Sequence, residues 1–161
     1  MKRSVLSALS LATVLSLSAA AMADDKLPNL QPGFNTKTGT VTVKNVDEAI
    51  AGKSVVTVQC AALHGGSCPE PTAAQLAGYT MPAFANRLAM SVPKIGPSKT
   101  YSHTIKFFKD LNFAPGKYMF RVCVDAGKDV RESVEADNCK RYSLTKKGMS
   151  KPKFQLKSRT Q

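Results

Sequence analysis

The stretch Gly116-Lys117-Tyr118-Met119-Phe120-Arg121-Val122-Cys123-Val124-Asp125 decides how this chain is read. Tyr118, Phe120, Val122 and Val124 recur at period two, while Met119, Arg121, Cys123 and Asp125 fill the alternate positions. Successive side chains of a strand point to opposite faces, so the aromatic and β-branched set defines a core face. Cys123 is then turned away from the core. Pro115-Gly116 supplies the turn that leads into the strand.

Working outward, the same alternation marks Thr40 to Val46, and Ser54 to Cys60 after the Ala51-Gly52 turn. From Thr100 to Phe108, Tyr101, Ile105 and Phe107 share one face, with Ser102, Thr104 and Lys106 opposite. A closing strand is expected from Cys139 to Leu144, with Tyr142 and Leu144 on one side, and a brief one from Ser91 to Lys94 before Gly96-Pro97. Ala83 to Met90 accommodates a short helical turn. Between Ala61 and Pro82, Gly65-Gly66, Cys68 and three prolines suit a long surface excursion better than a strand. There is no internal repeat, heptad pattern or long amphipathic helix. Short strands separated by turn signals predict an all-β antiparallel sandwich.

The N-terminus reads differently. Met1-Lys2-Arg3 precedes an apolar stretch from Val5 to Ala21, which ends in Ala21-Met22-Ala23 and gives way to Asp24-Asp25. This is the pattern of a cleaved export signal over residues 1–23. Its serines make it a poor membrane anchor. Cleavage leaves 138 residues, enough for one domain with a real core, expected over residues 24–145. No later segment is long and apolar enough to cross a bilayer. The signal carries two cations and no acid, so the net charge falls from +12 to +10. The exported product, periplasmic or secreted, remains strongly basic.

Four cysteines in an exported chain point to disulfides, and three pairings are possible. With Cys123 facing outward, a buried bridge between sheets is disfavoured. Cys139, across a hairpin-like connection, is the natural partner, which leaves Cys60 with Cys68 around Gly65-Gly66. Such bridges stabilise by about 2–3 kcal/mol each. Neither pair has the Cys-x-x-Cys spacing of a redox site. Cys60, His64 and Cys68 make a weak zinc set, with three ligands in an oxidising compartment. His103 falls on the apolar side of its strand, where a hydrogen-bonded histidine is the simpler reading.

Asp125, Asp129, Glu132, Glu135 and Asp137 crowd the last connection. They lack the spacing of an Asp-x-Asp-x-Asp-Gly calcium loop, and Lys128 and Arg131 interrupt them. A charged, solvated hairpin braced by Asp and Asn side chains is therefore expected, and no metal or cofactor. Beyond Leu144 the chain is basic and poor in apolar residues, so residues 146–161 are expected to form a flexible tail. Its Lys146, Lys147, Lys151, Lys153, Lys157 and Arg159 are candidates for contacting an anionic partner.

The residues Leu27-Pro28-Asn29-Leu30, Val41 to Val46, Ala114 to Tyr118, and above all Val122 to Asp125 running through Val130-Arg131-Glu132-Ser133 to Asn138-Cys139, resemble the CARDB family of bacterial cell-adhesion-related domains. The likeness spans roughly residues 27–145, with Ala61 to Pro82 outside the family pattern. It implies an immunoglobulin-like sandwich of about seven strands with no catalytic residues.

No nucleophile elbow, paired-carboxylate motif or phosphate loop argues for an enzyme. The expected function is an exported, non-catalytic adhesion-type domain that binds a protein or an anionic polymer, such as polysaccharide or lipid headgroups. No motif for sequence-specific nucleic-acid binding accompanies the charge. The alternatives are a structural accessory subunit of an envelope assembly, or a small enzyme with an unfamiliar site. Oligomeric state is not legible.

Overall fold

The alternating segments pair into two antiparallel sheets in the computed structural model, which describes residues 26–85 and 87–148. The strands are β1 (Leu30–Asn35), β2 (Thr40–Asn45), β3 (Ser54–His64), β4 (Leu88–Val92), β5 (Thr100–Thr104), β6 (Gly116–Cys123) and β7 (Cys139–Lys146). One sheet has the order β1-β2-β5 and the other β4-β3-β6-β7. This is the expected seven-stranded immunoglobulin-like sandwich.

The core forms where the deciding stretch places it. Tyr118, Phe120 and Val122 of β6, followed by Val124, are buried against Leu30, Val41 and Val43 of the facing sheet. Around Phe120 stand Phe34, Phe108 and Phe113, with ring centroids 5.2, 5.6 and 5.9 Å away. Contacts of this kind add about 0.5–1.5 kcal/mol each beyond area burial. Tyr118 also donates its hydroxyl to the Ala114 carbonyl at 2.7 Å, tying the start of β6 to the turn before it. That is the tyrosine-corner device of immunoglobulin-like sandwiches.

Several boundaries differ from the sequence reading. β1 was not expected, because Pro32-Gly33 breaks its alternation; as an edge strand it tolerates a residue without an N–H. β5 ends at Thr104 rather than Phe108. Phe107 and Phe108 are consecutive and both buried, which a one-faced strand does not allow, and the chain turns into a 3-10 segment, Phe108–Asp110. Gly39 sits beneath that segment at φ +72°, where a Cβ would lie 2.3 Å from Phe108.

β3 runs to His64, shortening the excursion from its front, with a bulge between Ala62 and His64 where it pairs with β6. Within the excursion a single helical turn, α1 (Ala73–Leu76), begins at a Thr72–Gln75 capping box. A 3-10 turn follows at Pro82–Phe84. β4 starts at Leu88 rather than Ser91, so the helical turn expected between Ala83 and Met90 is confined to the start of that segment and its last three residues are strand. β7 continues past Leu144 to Lys146, which pairs with Gly116. Lys146, assigned to the tail, therefore belongs to the sheet.

Candidate functional site

Each sheet position fixes what the sequence candidates can do. Cys123 and Cys139 stand directly opposite in the β6–β7 register and are joined, with Cα atoms 4.1 Å apart. Cys60 and Cys68 are joined with Cα atoms 6.1 Å apart, tying the excursion to β3. Neither bridge links the two sheets. Cys123 is not part of the hydrophobic core cluster yet is itself buried. With Cys60 and Cys68 bonded to each other, the Cys60, His64, Cys68 set has no thiolate to offer a metal. His103 Nε2 lies 3.3 Å from the Tyr79 hydroxyl, which also accepts the Lys106 N–H, so His103 is held structurally.

The connection from Asp125 to Asn138 departs most from expectation. It was read as solvated, yet Asp125 is 3% exposed and Glu132 6%. The bracing part of that reading holds. Asp125 accepts the backbone N–H groups of Asp129 at 2.9 Å and Val130 at 3.2 Å. Glu132 Oε2 accepts the Leu30 N–H of β1, so the connection folds back over the opposite sheet. Glu135 accepts the Glu132 N–H at 3.1 Å and the Asn138 amide at 3.2 Å.

Three carboxylates thereby converge. Asp125, Glu132 and Glu135 each offer an oxygen within 4.8 Å of the others. Burial drives the Glu132 carboxyl up to about 7, against the bond from Leu30 and the nearby Asn138 amide and with help from the charges of Asp125 and Glu135. Burial also raises Asp125. Glu132 Oε1 and Asn138 Oδ1 are buried acceptors that receive no hydrogen bond. The sequence shows five acids in this loop, but which of them turn inward depends on β1 docking across it.

The outer face of the four-stranded sheet has the opposite sign. Arg121 of β6 stands directly across from Arg141 of β7. Both are exposed, and the one ion pair among the described residues, Lys26–Glu48, involves neither. Arg87, Arg121, Lys128 and Arg131 line a depression of about 600 Å³ on this side, with Asp125, Glu135 and Asn138 also in its wall. A second cleft of about 530 Å³, lined in part by Leu76, Leu88, Phe108 and Phe120, opens beside Cys60 and Cys68. Sequence reasoning missed the arginine pair, because alternation marks the outer face but not the register that aligns two strands.

Of the tail candidates, Lys146 ends β7 and Lys147 follows it, exposed. Lys151, Lys153, Lys157 and Arg159 lie outside the described residues, as does the expected signal at 1–23. Among the described residues no helix is long and apolar enough to cross a membrane.

These features define a disulfide-bonded immunoglobulin-like sandwich with an extended connection between its last two strands. Residues 78–142 match the CARDB family model, in agreement with the resemblance carried by the closing hairpin. The CARDB domain of a Pyrococcus furiosus protein, crystallised in complex with di-metal ions, is similar at 16% sequence identity and a TM-score of 0.46, covering 74% of this chain and 93% of that one. No curated protein matches the chain.

Proposed function

We propose that this protein is an exported, non-catalytic adhesion-type domain that binds an anionic polymer through the outer face of its four-stranded sheet. The observation that carries the reading is the directly opposed pair Arg121 and Arg141, without an acidic partner among the described residues. Like charges placed opposite each other on a sheet are destabilising. A polyanion would turn that repulsion into attraction, and guanidinium groups suit bidentate contact with carboxylate, sulfate or phosphate. Export is supported by the N-terminal pattern and by two disulfides, which persist in oxidising compartments. Lys146 at the end of β7, and Lys147, Lys151, Lys153, Lys157 and Arg159 after it in the sequence, add positive charge that would raise the rate of encounter.

The test is binding to immobilised heparin and dextran sulfate at two ionic strengths. The Arg121→Ala, Arg141→Ala double variant is expected to bind at least tenfold more weakly. Deletion of residues 149–161 is expected to reduce affinity severalfold and to flatten the salt dependence. Wild-type binding by the double variant would sink the proposal.

A further inference from the structure

We propose that the β6–β7 connection is a calcium site, formed by the carboxylates of Asp125, Glu132 and Glu135 together with the side-chain carbonyl of Asn138. The inference is independent of the polyanion reading and concerns the interior of the connection.

Two observations carry it together. The first is convergence: three carboxylate oxygens lie within 4.8 Å of one another. Calcium–oxygen distances are about 2.3–2.6 Å, so such a trio can share one ion after shifts of a few tenths of an ångström. The second is that buried acceptors are left over. Glu132 and Asn138 are 6% and 9% exposed, and each keeps one oxygen, Glu132 Oε1 and Asn138 Oδ1, without a hydrogen-bond donor. Asn138 belongs to the same cluster, since its amide donates to Glu135 at 3.2 Å. Buried acceptors normally find a donor, and here the surrounding groups are themselves acceptors. A cation is the partner that satisfies all of them at once.

The donor set selects the type of ion. It is all oxygen, with no thiolate or imidazole, which suits a hard cation and not zinc or copper. All four ligands come from the irregular connection between β6 and β7, an arrangement that tolerates calcium's loose geometry better than magnesium's strict octahedron. Lys128 and Arg131 do not oppose this, for both side chains are exposed and neither forms an ion pair with the cluster. The remaining lone pairs of Asp125 and Glu135 stay available, because a carboxylate oxygen that accepts one N–H can still bind a metal.

The experiment uses the purified, oxidised protein, freed of metal with chelator. Calcium is titrated by calorimetry and followed by thermal melting at neutral pH, with magnesium and manganese in parallel. Calcium is expected to bind with 1:1 stoichiometry and to raise the melting temperature. Glu135→Gln, an exposed position where the fold should persist, is expected to weaken binding at least tenfold, and Glu132→Gln to abolish it. Asp110→Asn, in the 3-10 segment at the other end of β6, should bind as the wild type does. Absence of heat and of any melting shift with millimolar calcium would overturn the proposal. So would equal calcium responses of the wild type and Glu135→Gln. Tighter binding of manganese or magnesium than of calcium would overturn the choice of ion.

Discussion

At the scale of single residues, burial decides the behaviour of Glu132. Its carboxyl is raised from 4.5 to about 7 in the folded chain, first by burial. Between those pH values the folded state holds a proton that the unfolded state has released, so stability falls as pH rises through that window and levels off above it. In chelator the loss is on the order of 3 kcal/mol, and denaturant unfolding from pH 4 to 8 should show it. Glu132→Gln, which keeps a neutral side chain at every pH, is expected to flatten that profile. Gly39→Ala meets both a positive φ and the Phe108 ring, and chemical denaturation should show a loss of about 2 kcal/mol or more. The sequence reveals the acids and the glycine as residue types. It does not reveal that Leu30, 102 positions earlier, supplies the N–H that holds Glu132 inside.

At the scale of elements, the closing hairpin depends on its clip. Cys123–Cys139 closes 16 residues and Cys60–Cys68 closes 8. Chain-entropy arguments assign about 3 and about 2.5 kcal/mol to them. Replacing Cys123 and Cys139 with serine should therefore cost slightly more stability than replacing Cys60 and Cys68. It should also raise amide hydrogen exchange selectively in β7, an edge strand with mostly exposed side chains. Protection in β7 equal to wild type would show that pairing with β6 alone holds it. β6 was legible because it alternates cleanly and is buried on one face. β1 was not, because Pro32 and Gly33 are poor strand residues whose place at a sheet edge becomes visible only once β2 is present.

At the scale of the whole molecule, charge is distributed rather than confined to a terminus. Of 23 lysines and arginines, 17 lie within the described residues, against 9 of the 11 acids. The folded part alone is thus strongly basic, and a chain ending at Gly148 should still be retained by a cation-exchange resin at neutral pH. The sequence by itself determined the two-sided alternation of β2, β3 and β6, the all-β sandwich and the expected cysteine pairing, since these follow from period-two patterning and short-range connection, while its resemblance to a known family implied the immunoglobulin-like form. Tertiary structure alone decided that Phe107 and Phe108 are both buried, that Arg121 faces Arg141, and that Asp125 and Glu132 are buried where they meet the exposed Glu135. Each of these requires strand register or packing between sheets, and those are settled by contacts between residues distant in the chain.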